Sequence, residues 1–444
     1  MFNIILAIDS KNGISKNGKI PWKILEDMEY FKQTTTNPFF KNVVIMGYNT
    51  WKSTPFLKNR ENIVISNTPS HLEELSKIDN IKAYDSLDSA LKNIDYSTNV
   101  WIIGGRQLFN SAIIHPLLNN IYITKIFMDY ECDNFVRLPL CKTISSSPIY
   151  NRNGQSYQFN IYSPCFDLET QYLRLCKKIL LTGVEADTRN GMTKSIFGES
   201  IKFSLEGGEF PLLTTKKMFF RGIVEELLFF IRGDTNTKKL EEKGINIWRP
   251  NTNAEFLRKC GLDYSEGEMG PMYGYQWRNF NGCGVDQLKE VVRQIIDEPT
   301  SRRIIMTDYN PLQAHLGVLY PCHSLILQFN VVGEYLDCQM YQRSADTFLG
   351  LPFNIASTSL LLILISKITH KTPRNVIINM GDVHIYQSHY SAVETQLQRE
   401  PYDLPTLELL KPVENIVDLE NLCFSDFAIH NYKSYPAIKA DMVA

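Results

Sequence analysis

A rhythm in the first 126 residues constrains this chain more than any other feature. Short apolar runs at 3–8, 43–46, 62–66, 81–84, 100–103 and 120–126 alternate with helical or polar stretches. Runs that short, bounded by polar segments, read as buried strands, and their alternation with helices predicts an α/β sheet. The rhythm stops near residue 163. Residues 155–163 read as a closing strand, then Pro164-Cys165-Phe166-Asp167 leads into a helix marked by Leu168, Tyr172, Leu175 and Ile179. No Gly/Ser-rich, Pro-rich or charged linker intervenes. The expected organisation is therefore a domain over 1–163, a junction over 164–167 and a larger domain over 168–444.

In the larger part, 222–233 is a second clear helix. Residues 325–332 and 335–341 read as paired strands around Val332-Gly333-Glu334, and 356–368 as a buried helix after a turn at Pro352. Nine cysteines, an odd number without a CxxC pair, argue against a disulfide framework and for a reducing compartment. A net charge of -2 gives no sign of a polyanion-binding surface, and no nucleic acid is expected. The N-terminus lacks a basic region ahead of its apolar run, and the longest apolar run, 360–365, is too short to span a bilayer. The expectation is a soluble, intracellular, cytoplasmic protein with no membrane or metal partner.

Several residues carry chemistry, each with a plainer reading beside it. Ile24, Met28 and Phe31 form a helical apolar stripe, with Asp27 projecting along it and Glu26 away from it. Asp27 is either a ligand-binding carboxylate or a first-turn aspartate favoured by the helix dipole. Gly104-Gly105, between a strand and a helix starting near Gln107, lets backbone N–H groups approach a pyrophosphate, although a glycine pair is more often a tight turn. In the helix 222–233, Glu225 aligns with Arg221 and Arg232 on what reads as a solvated, ion-paired face. Glu226 lies between Ile223 and Phe230 on the apolar side, suited to proton transfer or to a structural network. Arg302-Arg303 is surface charge or part of a phosphate site. His384 and Tyr386 share one side of an extended segment. Cys322, followed by His323, stands ahead of the cluster Gln342-Arg343-Ser344-Ala345-Asp346 and the Gly350–Asn354 turn.

The first part resembles dihydrofolate reductase. GISKNGKIPW with Asp27 and Phe31, VIMGYNTWKSTP, RENIVISN and WIIGGRQLF carry the likeness, in that order, over residues 1 to about 162. It implies a central mixed, mostly parallel sheet with flanking helices, and reduction of dihydrofolate by NADPH. Asp27 matches the carboxylate that holds the pterin and supports its protonation. Arg60 matches the clamp for the folate tail's carboxylate. Ile5, Ala7, Phe31 and Ile103 match pocket positions, and Thr124 the hydroxyl beside the acid. Ala7, Ile14, Thr50, Ser66, Asn67, Gly104, Gly105, Arg106 and Gln107 fall where the family meets NADPH. Tyr48-Asn49 replaces a basic residue that usually follows the glycine of this motif, and Asn67 is neutral where a basic residue is common. Cofactor discrimination is then either weakened or supplied by Arg106 or Lys52.

The second part resembles thymidylate synthase over essentially its whole length. PLLTTK, EELLFFIRGDTN, GPMYGYQW, SRRI, PCH, QRSAD, FLGLPFNIAS and GDVHIYQSH appear in family order. The likeness implies an α+β domain that forms a homodimer and methylates dUMP to dTMP with 5,10-methylenetetrahydrofolate, releasing dihydrofolate. Cys322 matches the nucleophile, with nearby arginines expected to lower its pKa. Glu226 matches the proton-relaying glutamate and Tyr273 the tyrosine near C5. Arg189, Arg343 and Ser344 match phosphate ligands, joined by Arg302 and Arg303 lent from a partner subunit. Asn354 matches the amide that reads the pyrimidine edge, while His384 and Tyr386 match ribose ligands. His323, Gln342 and Asp346 also belong to the expected dUMP set. Trp248, Asn251, Asp346, Gly350, Phe353 and the terminal Ala444 match folate positions. Arg249 departs from the family, which has Asp after this tryptophan.

Two other readings compete. A pyrimidine hydroxymethylase is disfavoured by Asn354 and Trp248. A binding protein with idle sites is disfavoured by the presence of Cys322, Asp27, Glu226 and Arg60 together.

Overall fold

The run at 3–8 is apolar from Ile4 onward because its strand is covered on both faces. In the computed structural model of the protein, which describes residues 1–95 and 98–443, strand β1 (Phe2–Ile8) sends Phe2, Ile4, Leu6 and Ile8 into one apolar cluster and Ile5 into another. Such two-sided burial is typical of parallel sheets. The chain divides into two compact units, Met1–Phe166 and Asp167–Ala444.

In the first unit, β2 (Gly13–Ser15), α1 (Leu25–Thr35), β3 (Asn42–Gly47), α2 (Tyr48–Ser53), β4 (Glu61–Ile65), α3 (Pro69–Leu75) and β5 (Ile81–Tyr84) follow β1. Next come α4 (Leu87–Lys92), β6 (Asn99–Gly104), α5 (Arg106–Ile113), β7 (Leu118–Ile126), β8 (Asn134–Phe135), β9 (Cys141–Ser146), β10 (Tyr150–Arg152) and β11 (Gln155–Pro164). Among the described residues the main sheet has nine strands in the order β10-β11-β7-β1-β6-β3-β4-β5, with β9 on β11. Strands β5 to β7 along that order are parallel, and β11 runs antiparallel to β7. The sheet is thus mixed and mostly parallel, as expected. The loop after β1 contains β2, which pairs with β8. The apolar stripe on α1 is incomplete: Ile24 is buried, but Met28 is 62% exposed, because that stretch of α1 does not face the core.

The second unit opens with α6 (Leu168–Thr182), on which Leu168, Tyr172, Leu175 and Ile179 are all buried. The Arg189 segment is the tip of a hairpin, since β12 (Val184–Thr188) pairs directly with β13 (Gly191–Ser204). Then come α7 (Phe220–Ile231), the short helices α8 (Lys238–Glu241), α9 (Arg249–Thr252), α10 (Ala254–Lys259) and α11 (Gly274–Arg278), and α12 (Gln287–Asp297). The strands β14 (Ile305–Met306), β15 (Ile326–Val332), β16 (Tyr335–Asp346) and β17 (Thr372–Tyr386) complete a sheet ordered β12-β13-β17-β16-β15-β14. Helix α13 (Gly350–Ile368) crosses from β16 to its parallel neighbour β17.

Helix α13 begins at Gly350, so Pro352 is no turn. It lies in the first helical turn, where its missing N–H has no intrahelical partner to lose. This helix is long and apolar enough to cross a membrane by length and composition, yet 78% of its most apolar window is buried inside the fold. The solvated face assigned to α7 is also absent. Glu225 is 3% exposed and pairs with Lys243 at 2.6 Å. Arg221 and Arg232 donate instead to backbone carbonyls of Lys243, Glu420 and Leu422. The reason is that α7 is covered almost all round, from Gly222 to Ile231.

Between β16 and β17 the ladder steps by one residue, from Leu336↔Pro373 to Cys338↔Val376. The extra residue on β17 is gripped by Asp337, whose carboxylate accepts from Arg374 Nε at 2.9 Å, the Asn375 amide at 3.0 Å and Asn375 Nδ2 at 2.9 Å. Burial works to raise the Asp337 carboxyl, and the Arg374 and Asn375 contacts outweigh it and hold the group below its usual range.

Candidate active sites

In the first unit the carboxyl ends of β3, β4 and β6 gather the expected cofactor residues, the side of a parallel sheet where ligands bind. Gly105 caps α5. A Cβ on it would lie 3.0 Å from Thr50 Oγ1, and one on Gly104 3.4 Å from the same atom. Gly104, at φ +135°, and Gly105 therefore leave a cradle that side chains would fill, with Arg106 and Gln107 at the start of α5. This fits the pyrophosphate of NADPH. Ser66 is buried and shares a 3.0 Å hydrogen bond with His71 Nδ1. Asn67 follows it, exposed, and Ile14 lies on β2. Tyr48 stacks on His71 with ring centroids 3.6 Å apart. Its hydroxyl donates to Glu74, which also pairs with Lys52. Lys52 is thus committed to a carboxylate.

The residues expected to meet folate lie on and around β1, α1, β6 and β7. Ala7 stands opposite Thr124 in the β1–β7 register. Burial raises the Asp27 carboxyl, and the Thr124 hydroxyl works against that rise. Ile5 joins a cluster flanked by Phe31 and Ile103. Arg60 donates to Thr35 Oγ1 at 2.7 Å and lies 5.7 Å from the Phe31 ring centre. Among the described residues carboxylates pair with Arg152, Arg278, Arg293 and Arg374, and none pairs with Arg60, Arg106, Arg189, Arg302, Arg303 or Arg343.

In the second unit Cys322 lies ahead of β15, and its carbonyl accepts from the Arg343 amide at 2.8 Å. Tyr273, at φ +46°, holds its hydroxyl 3.5 Å from Cys322 Sγ. Behind it Trp248 stands 5.9 Å away, ring to ring, and Trp248 Nε1 donates to Glu226 at 2.8 Å. Burial pushes the Glu226 carboxyl up to about 7, against the Trp248 contact. The Cys322 thiol departs from expectation. Arg343 and Tyr273 do lower its pKa, but burial outweighs them and the net shift is upward. His323 stacks on Tyr273 at 4.5 Å, and burial moves its titration down to about 4, leaving a neutral ring at neutral pH.

Several of the residues expected to meet the nucleotide are placed by the β16–β17 register. Ser344 stands opposite Asp382 and Asp346 opposite His384, while His384 and Tyr386 project alike with ring centres 5.0 Å apart. Asp382, which the sequence reading passed over, holds His384 Nδ1 at 2.7 Å; strand alternation on the 382–386 segment would have found it. The Gln342 Oε1 and Asn251 Nδ2 atoms are buried without partners, as ligand-facing amides would be. Asn354 and Phe353 lie in the first turns of α13, after Gly350. Asp346 caps that approach by accepting from the Phe348 and Leu349 amides. Arg189 is exposed at its hairpin tip, and Arg302 and Arg303 are exposed ahead of β14. Ala444 lies outside the described residues. The sequence reading also missed Lys216, whose ammonium is buried 3.7 Å from the Phe348 ring centre and pushed down to about 8 by burial. No periodic pattern marks it. Among the described residues no group of three or more His, Cys, Asp or Glu could hold a metal ion.

Comparison with known proteins matches each unit to a family. The dihydrofolate reductase family profile matches residues 1–162, and the thymidylate synthase profile residues 170–444. Proteins named bifunctional dihydrofolate reductase-thymidylate synthase are similar along the whole chain. The one from Paramecium tetraurelia is 35% identical, covering 99% of this chain and 98% of its own. That from Leishmania major is 36% identical over 99% and 95%, and that from Glycine max 35% over 99% and 94%. Two site constellations on one chain, each within the span of its own profile, and relatives that share both in the same order place the chain in the bifunctional dihydrofolate reductase–thymidylate synthase family.

Proposed function

We propose a residue-by-residue division of labour for the two reactions of this family, methylation of dUMP to dTMP and reduction of the resulting dihydrofolate with NADPH. The observation that supports it most is the Tyr273 hydroxyl 3.5 Å from Cys322 Sγ, with Trp248 and Glu226 in line behind.

In the synthase, Cys322 adds as thiolate to C6 of the pyrimidine, which makes C5 a nucleophile. 5,10-Methylenetetrahydrofolate supplies the one-carbon unit and the hydride. Glu226, raised to about 7, exchanges protons near neutral pH, and Tyr273 serves the proton at C5. Arg189, Arg343 and Ser344 hold the phosphate, His384 and Tyr386 the ribose, and Asn354 and Gln342 the base. His323 lines the pocket as a neutral ring stacked on Tyr273. Trp248, Asn251, Asp346, Gly350, Phe353 and the terminal Ala444 hold the folate. Arg302 and Arg303 pair with no carboxylate among the described residues and serve the phosphate of a second copy, so the synthase works as a homodimer.

In the reductase, NADPH supplies the hydride. Asp27, steadied by Thr124, binds the pterin edge and supports its protonation. Arg60 clamps the tail carboxylate beside Phe31. Thr50, Gly104, Gly105, Arg106 and Gln107 hold the cofactor's pyrophosphate end, with Ala7, Ile14, Ser66 and Asn67 along its length. A reducing cytoplasm suits the nine free thiols and the buried α13.

The test is a pair of spectrophotometric assays on full-length protein. Cys322→Ser should lower dTMP formation by at least about 1,000-fold and spare dihydrofolate reduction. Asp27→Asn should lower the reductase by about 100-fold or more and spare the synthase. Either change silencing both activities in folded protein would overturn the division.

A further inference from the structure

A buried histidine that the scheme above leaves idle holds the segment 431–443, which has neither helix nor strand. The segment is tied down in steps. Tyr432 donates its hydroxyl to the Leu213 carbonyl at 2.7 Å, the Tyr435 amide donates to the Thr214 carbonyl at 2.8 Å, and Arg399 Nη1 to the Pro436 carbonyl at 2.9 Å. Ile438 and Ala440 pack against the core. Among the described residues the last hydrogen bond is at Asp441, whose carbonyl lies 2.8 Å from His389 Nε2. A carbonyl can only accept, so Nε2 carries the proton and Nδ1 a lone pair. Past this tie, Met442 is 55% exposed.

The imidazole is set to hold that one carbonyl. It is fully buried, and its Nδ1 has no partner among the described residues. Its ring lies between Phe348 and Tyr386, with ring centres 5.5 and 5.7 Å away. A ring so packed has little freedom to follow a moving acceptor, so the carbonyl must come to it. Both neighbours stand at expected ligand sites. Tyr386 is itself an expected ribose ligand, and Phe348 lies just ahead of α13, whose first turns carry Gly350 and Phe353. Fixing Asp441 leaves three residues to Ala444, a reach of at most about 11 Å. Without it the nearest hydrogen bond is at Pro436, eight residues from Ala444, and the reach grows to about 29 Å. The tie therefore raises the local concentration of the last residues and lowers the entropy they lose on closing over a ligand.

We propose that His389 is a positioning residue for the synthase: its Nε2–H fastens Asp441 and so holds the residues up to Ala444 poised over the bound folate. The proposal rests on the reading that Ala444 meets the folate, and the experiment separates the two ideas.

His389→Phe keeps an aromatic ring between Phe348 and Tyr386 and removes the donor, whereas His389→Gln restores a donor at similar reach without the ring. In full-length protein, tryptic cleavage after the exposed Lys439 is followed by mass spectrometry, since a protease needs the flanking residues to detach. His389→Phe should be clipped about fivefold faster than wild type, the worth of one net hydrogen bond, and its kcat/KM for 5,10-methylenetetrahydrofolate should fall by about the same factor. The KM for dUMP should stay within about twofold, which a general loosening around Tyr386 would not allow. His389→Gln should return both clipping and kcat/KM to within about twofold of wild type. Equal clipping of His389→Phe and wild type, or a His389→Gln protein as impaired as His389→Phe, would overturn the proposal. Faster clipping with unchanged kcat/KM would uphold the tie at Asp441 and overturn the assignment of Ala444 to the folate. Should neither variant fold, wild type labelled with 15N in its eight histidines decides. One slowly exchanging imidazole N–H signal should vanish once trypsin has clipped the chain after Lys439, and no such loss would overturn the role of His389.

Discussion

Glu226 shows how burial converts an ordinary side chain into a reagent. Its carboxyl titrates near 7 against an ordinary value of 4.5, chiefly through burial. A raised acid favours the folded state fully below the unfolded pKa, and this contribution is lost as pH rises to the folded value. Glu226→Gln removes that loss. The Tm of the variant should gain on the wild type from about pH 4.5 to about pH 7 and hold a constant gap above, while the kcat of the synthase falls. A gap independent of pH would show an unshifted carboxyl. Arg106 and Lys52 differ in the same local way. Lys52 is already paired with Glu74, whereas no carboxylate among the described residues pairs with Arg106. Arg106→Ala should raise the KM for NADPH about tenfold, the worth of one charge-assisted contact, and Lys52→Ala should leave it within about twofold. A strong preference for NADPH over NADH that survives Arg106→Ala would overturn the assignment. Residues inside recognisable motifs were legible from the sequence. Lys216 was an exception: it ends the PLLTTK motif, yet its character comes from burial by segments distant in the chain.

The elements of the reductase were legible because each strand is short, apolar and set off by polar segments. In the synthase the same logic misread α7 and the start of α13. In α7 the burial of all faces removes the periodic signal that separates Glu225 from Glu226. At α13 a proline that reads as a stop is accommodated in a first helical turn. The β17 bulge left no trace in the pattern, yet it sets which residues face each other across β16 and β17. Asp337→Ala should cost about 1–2 kcal/mol of synthase stability, the scale of its lost hydrogen bonds. Because this carboxyl is depressed in the folded state, its contribution is present above the unfolded pKa and lost as pH falls through the folded one. Urea melts should therefore separate wild type and variant at pH 7 and bring them together at strongly acid pH. The KM for dUMP should rise as well, since Ser344, Asp346 and His384 lie further along the same ladder.

For the whole molecule, the exposed Arg302 and Arg303 make the synthase incomplete as a single chain in the scheme proposed above. Mixing a Cys322→Ser protein with an Arg302→Ala/Arg303→Ala protein, after dissociation and reassociation, should recover about a quarter of wild-type dTMP formation. Half of the dimers are then mixed, and each holds one whole site. No recovery from two inactive parents would assign those arginines to the site of their own chain. What the sequence could not reveal at this scale is charge placement, because a net charge of -2 conceals it. The ligands of both reactions are anions, and attraction by the protein's total charge is negligible. In the scheme proposed above, the guanidinium groups of Arg60, Arg106, Arg189, Arg302, Arg303 and Arg343, none paired with a carboxylate among the described residues, act instead as separate short-range collectors. Their reach is the screening length of the medium, about 8 Å at physiological ionic strength. Added salt therefore slows capture at each site by its own amount, and the two activities of one chain fall off differently with ionic strength.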